Sequence, residues 1–203
     1  MKNKYFYFIG IIMSVLLTSC AFPPKYYYQS LSGKGMNFKT GKGLVNTPES
    51  SISRVKDDEI MTYVVKDLKT LGGDSVMYKD ETIGAYFVPS HIPFDLKPED
   101  IELLKNTTSF DYVINILFAK GRDAEDIANL NIYTTTHRNT GLAKIIVYEI
   151  KTGLKIYDQQ VTAVSIAGES IWFSATHTPE TLVYKALKKI IKPLNKYSVK
   201  RVN

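Results

Sequence analysis

The sequence predicts a single α/β (α+β) domain over residues 43–198, a mixed sheet with helices packed on it. Three observations carry that expectation. Segments with apolar residues at helical spacing alternate with short apolar runs of strand length. One of those runs, Val113 to Phe118, is nearly unbroken, the pattern of a strand covered on both faces. The chain has 203 residues, 44% hydrophobic and 23% charged, which suits one folded core and argues against disorder.

The elements follow in order. Residues 20–42, AFPPKYYYQSLSGKGMNFKTGK after Cys20, mix Pro, Gly, Ser and Lys without a useful period and read as a flexible tether. Tyr26, Tyr27 and Tyr28 are unusual there. They either lie at lipid headgroups or begin a strand packed on the domain, and packing favours the second. Residues 41–50 give a short strand and then a turn at Thr47-Pro48. In KDDEIMTYVVKDLKTLGG, Asp57 or Asp58 is placed to cap a helix. Ile60, Val64, Leu68 and Leu71 form its apolar stripe, and Gly72-Gly73 ends it.

DSVMYKD reads as a strand and GAYFV as another. Pro98, followed by Glu99 and Asp100, opens a short helix. FDYVINILFAKG, residues 110–121, is the clearest strand, and ANLNIYTTT is expected to continue as one. GLAKIIVYEIKTGLKIYDQQVTAVSIA reads as a hairpin turning at Lys151-Thr152-Gly153, where Gly153 supplies a positive φ. The last helix, THTPETLVYKALKKIIKPLNKYS, takes Thr178 as its cap and Pro179 as its first residue.

Cys20 is the lone cysteine, so an internal disulfide and a thiolate metal site are both excluded. It ends an oily run. Lys2 and Lys4 form a positive start, and no charge follows before Cys20. The run is too short to span a bilayer and has the length of a secretory leader over residues 1–19. Leu17-Thr18-Ser19-Cys20 resembles the lipobox of bacterial lipoproteins. The resemblance implies that Leu17, Thr18 and Ser19 are read by a signal peptidase and that Cys20 carries fatty acyl chains, palmitate among them. Membrane lipid is then a partner through the acylated Cys20. An uncleaved anchor or ordinary secretion are the alternatives. Ala21 stands where an aspartate would favour inner-membrane retention, and no acidic cluster follows Cys20. The resemblance therefore implies the outer membrane, facing the periplasm.

The helix at 57–71, FDYVINILF and the hairpin IIVYEIKTGLKIYDQQ together resemble, over about residues 43–196, the envelope domain shared by the TolB N-terminal domain and the curli-secretion lipoprotein. Glu149 stands one residue away from the family's usual acidic position. This likeness implies a binding or assembly domain and brings no catalytic residues with it.

The search for chemistry yields little. GKGMNFKTGKG, residues 33–43, has the wrong spacing for a phosphate loop and lacks its hydroxyl residue. His91, His137 and His177 are too far apart in sequence to share a helical face. Asp57 and Asp58 suit a helix start, and Asp123, Glu125 and Asp126 a solvated loop. No nucleophile motif, cofactor motif or metal-ligand spacing is found, so no cofactor and no enzymatic activity are expected.

The last helix is more informative. Leu182, Val183, Ala186, Leu187, Ile190, Ile191 and Leu194 cover one half, and Lys185, Lys188, Lys189, Lys192 and Lys196 much of the other. With a net charge of +6, this face suits an envelope protein or an anionic polymer or surface. An exported chain is not expected to meet nucleic acid. The leading expectation is a lipid-anchored, non-enzymatic binding or assembly domain. A periplasmic hydrolase or metal-dependent enzyme, or a subunit of a secretion assembly, are the rivals.

Overall fold

The computed structural model describes residues 23–33, 41–82, 87–128, 138–166 and 177–199. Seven strands among them form one mixed sheet: β1 Lys25–Gly33, β2 Gly43–Val45, β3 Glu49–Ser50, β4 Val76–Tyr78, β5 Tyr112–Lys120, β6 Arg138–Glu149 and β7 Leu154–Ile166. The helices are α1 Arg54–Gly72, α2 Pro98–Thr107, α3 Gly121–Ile127 and α4 Pro179–Val199. The sheet order is β1-β7-β6-β5-β2-β4, with β3 also pairing β5. The expected α/β class is observed.

Connection length explains the strand directions. β6 and β7 are joined by a tight turn and pair antiparallel, and Gly153 in that turn has φ 72°. Thr152 closes the turn by donating from Oγ1 to Glu149 Oε2 at 2.6 Å. Helix α1 carries the chain from β2 to β4, so those two strands pair parallel.

Helices α1 and α4 cover one face of the sheet. Ile60, Met61, Val64, Val65 and Leu68 of α1 meet Leu182, Val183, Ala186, Leu187, Ile190, Ile191 and Leu194 of α4 over Ile114, Ile116, Phe118, Ile145, Val147 and Tyr157. The apolar half expected of the last helix is thus buried throughout. On the opposite face α2, the segment before it and α3 pack over Leu44, Val113, Ile146, Tyr148 and Leu142. Strand β5 is covered on both faces, as its nearly unbroken apolar run required.

Glycine sets how closely α4 sits. A Cβ added at Gly141 of β6 would lie 2.5 Å from the Val183 nitrogen and 2.8 Å from both Leu182 Cβ and the Pro179 oxygen. Thr178 caps this end of α4: its Oγ1 accepts from the Thr181 N–H at 3.3 Å, and its carbonyl accepts from the Leu182 N–H at 3.0 Å. Lys120, at the end of β5, pairs with Glu180 at 3.0 Å.

Three expectations are corrected. Within the stretch read as tether, Lys25–Gly33 form the edge strand β1 on β7, as expected of Tyr26, Tyr27 and Tyr28 but not of the residues around them. The backbone partner and the packing of Tyr26 on the main core outweigh a composition rich in Ser and Gly. Helix α1 starts at Arg54 after Ser53, so neither Asp57 nor Asp58 is its cap. Asp57 instead accepts from Ser50 Oγ at 2.8 Å, and burial raises its carboxyl pKa. The acidic residues 121–127 form a short helix rather than a loop, because Ala124 and Ala128 seat it on Ala119 and Leu142. Most of GAYFV and of ANLNIYTTT lies outside the described residues. Among the described residues, no helix is long and apolar enough to cross a membrane.

Candidate functional site

The outward face of α4 is built from lysine and tyrosine. Lys188, Lys189 and Lys192 are exposed, and among the described residues no carboxylate lies within ion-pair distance of them. Two of these lysines rest on aromatic rings. Lys188 Nζ stands 4.4 Å from the centroid of Tyr184, and Lys189 Nζ 4.9 Å from that of Tyr26. The Tyr184 ring meets Tyr63 of α1 at 5.4 Å. The neighbouring Tyr184 hydroxyl raises the pKa of Lys188. Burial, then the neighbouring Tyr28, raises that of the Tyr26 hydroxyl.

Lys185 stands apart from the others. It is half-buried and donates from Nζ to His177 Nε2 at 2.9 Å. Burial first, then the Lys185 charge, lowers the His177 pKa, so the ring is held neutral. Of Lys196 only the backbone is described, in α4.

A second surface lies on the flank of α1 that faces the β4 edge. An open groove of about 780 Å³ is lined by Arg54, Asp58, Lys66, Lys69, Tyr78 and Asp80, with further residues of α1 between them. Its size is that of a ligand pocket. Lys69 pairs with Glu81 at its rim, 2.7 Å apart. Burial first, then Asp80, pushes the Tyr78 hydroxyl well above its ordinary pKa, so it stays a hydrogen-bond donor. Both cations and carboxylates line this groove, which suits a polar ligand or segment carrying both signs.

A third cluster is spent on structure. Asp158 of β7 is 2% exposed and lies 3.6 Å from Lys144 Nζ and 3.3 Å from Lys155 Nζ. Lys155 also reaches Asp95 at 3.4 Å. Tyr148 donates to Asp95 and accepts from the Leu96 N–H, each at 3.3 Å. Asn46 donates to the Ile92 carbonyl at 2.8 Å, and Asn115 to those of Pro93 and Phe94 at 3.0 and 2.7 Å. Together these bonds fasten the segment before α2 onto the sheet.

The other sequence candidates do not converge. His91 is exposed in the segment before α2, and His177 precedes α4; His137 lies outside the described residues. Among the described residues, no group of His, Cys, Asp and Glu is placed to hold a metal ion. Asp123 and Asp126 are exposed on α3, and nothing is described of the Glu125 side chain. Leu17, Thr18, Ser19 and Cys20, with most of the glycine-rich stretch 33–43, lie outside the described residues. Sequence reasoning missed the groove, whose lining is drawn from positions between Arg54 and Glu81 without a motif. It also missed the Asp158 cluster, where alternation along β7 placed a charge on a covered face without naming its partner.

No family model matches the chain, and no curated protein matches it. Among solved structures it is similar to the PelC dodecamer of Paraburkholderia phytofirmans, with 11% identity over 84% of this chain and 98% of that one and a TM-score of 0.48. It is similar to a hypothetical protein of Chlamydia trachomatis, at 13% identity over 78% and 98% of the two chains and a TM-score of 0.45. A lipoprotein of Neisseria meningitidis shows 10% identity over 77% and 99%, with a TM-score of 0.40. With these TM-scores below 0.5, the likenesses assign neither family nor function to this chain.

Proposed function

We propose that this chain is a lipid-anchored protein of the cell envelope, held by acyl chains on Cys20. Its folded domain acts as a non-enzymatic binding or assembly module on the periplasmic side of the outer membrane. The observation that carries the reading is the position of β1. The sheet begins at Lys25, five residues after the cysteine of the lipobox-like sequence. An extended residue spans at most about 3.6 Å, so the Cα atoms of Cys20 and Lys25, the first residue of the sheet edge, are no more than about 18 Å apart. The domain is therefore held against the bilayer rather than set free on a long tether. Two or three acyl chains make such an anchor stable where a single chain would not.

The binding role rests on the groove at the β4 edge. Strands lie about 4.8 Å apart, so five spacings put β4 about 24 Å from the anchored strand β1. A partner could reach that edge while the other stays at the membrane. The test is Cys20→Ala, followed by membrane fractionation. The variant is expected to leave the membrane fraction. Retention in the membrane with the leader uncleaved would replace the acyl anchor with a signal anchor. Cross-linking in membranes, with and without Tyr78→Ala and Lys66→Glu in the groove, tests the binding role. An unchanged cross-linked partner in those variants would exclude the groove.

A further inference from the structure

The lysines of α4 are placed where the anchor would bring a membrane. Tyr26 is six residues from Cys20 along the chain, and Lys189 stands over its ring at 4.9 Å. The covalent limit of about 18 Å between the Cα atoms of Cys20 and Lys25 holds the start of β1, with Tyr26 and the lysine over it, near the headgroups. Lys188 and Lys192 extend the same helix face, Tyr184 lies under Lys188, and Tyr63 meets the Tyr184 ring.

The chemistry of the face fits a lipid surface. Exposed ammonium groups that, among the described residues, have no carboxylate within ion-pair distance are open to phosphate. Tyrosine rings, apolar in body and polar at the tip, favour the headgroup layer. The long lysine stems also let the charge reach outward while the methylenes stay on apolar surface. Tyr63 of α1 is 48% exposed and Tyr28 of β1 59% exposed. We infer that Lys188, Lys189 and Lys192, with Tyr26 and Tyr184, dock on the anionic phospholipid headgroups of the bilayer that holds the acyl chains. This inference rests on the Cys20 anchor. Acyl chains fix where the domain is held, and the lysine–tyrosine face fixes which way it is turned. Docked so, the domain keeps the β4 edge and its groove away from the anchored edge.

The experiment uses the acylated protein purified from membranes and reconstituted into vesicles of phosphatidylcholine, with or without phosphatidylglycerol. Vesicle flotation first reports the anchor by itself: failure to float with either vesicle, or a Cys20 peptide without acyl mass, defeats the anchor reading. On floating protein, amine-reactive labelling is read lysine by lysine, with Lys97 at the start of α2 as the exposed reference on the other face of the sheet. Phosphatidylglycerol is expected to slow labelling of Lys188, Lys189 and Lys192 about tenfold, to leave Lys97 unchanged, and to lose its effect at high salt. Equal rates in the two vesicles would overturn the inference, as would equal slowing at Lys97. Shielding in native membranes but not in protein-free anionic vesicles would also overturn it, in favour of an acidic protein partner. The variant Lys188→Gln, Lys189→Gln, Lys192→Gln should float with its anchor intact. Amide exchange in its α4 should not respond to phosphatidylglycerol.

Discussion

The close seat of α4 on the sheet makes Gly141→Ala a demanding test of the packing. The new methyl would meet the Val183 nitrogen at 2.5 Å and Leu182 Cβ and the Pro179 oxygen at 2.8 Å. Two of these atoms are backbone and the third is a Cβ, so no side-chain rotation relieves the clash. Ordinary carbon contacts are about 3.5–4.0 Å, so the first turn of α4 must retreat by roughly 1 Å. That turn carries Leu182 and Val183, both fully buried. Overpacking of this kind costs about 1–3 kcal/mol, and an unyielding helix backbone belongs at the upper end. Replacing a strand glycine recovers about 0.5–1 kcal/mol. The net loss is about 2 kcal/mol, or about 4–8 °C in Tm for a domain of this size. Urea and thermal unfolding followed by circular dichroism measure it. A variant as stable as the parent would refute the packing argument.

Two other perturbations probe the same helix. Tyr157 is fully buried, and its hydroxyl lies 3.0 Å from the Ile190 carbonyl oxygen and 2.9 Å from Gln159 Oε1, two acceptors for its one proton. Tyr157→Phe should cost about 1 kcal/mol in urea unfolding, and an unchanged midpoint would show the bond to be idle. His177 has a folded pKa below its ordinary 6.5 through burial and the Lys185 charge. The unfolded chain therefore takes up the proton first. The stabilisation is full above about pH 6.5 and is lost as pH falls through the lower folded value. Stability measured from about pH 7 down to 5 should fall, and His177→Asn should flatten that limb; an identical slope in the variant would sink the assignment.

Where local pattern and tertiary packing agreed, the fold was legible in the sequence. The spacing of Leu182, Leu187, Ile190 and Leu194 identified the buried half of α4, and Gly153 the hairpin turn. Strand β1 was legible only in part: packing favours a strand beginning at Tyr26, Tyr27 and Tyr28, while the Ser- and Gly-rich residues after them read locally as tether until the pairing with β7 is seen. The helix α3 was hidden for a similar reason. Its residues are mostly charged, and what holds it is the fit of two alanines, Ala124 and Ala128, to the sheet. In the candidate site, the lysines were visible as a helical face. The tyrosines that seat them come from three separate elements, and no spacing rule links Tyr26 to Lys189 or Tyr63 to Tyr184. The groove was invisible because its lining residues are ordinary for a helix surface and become a site only beside the β4 edge.

The account depends most on what Cys20 carries in the mature protein. Mass spectrometry of the N-terminal peptide, from protein purified out of membranes, tests this directly. The expected result is a chain that starts at Cys20 with diacylglycerol on its sulfur. An unmodified thiol there, or a chain that still begins at Met1, would contradict it.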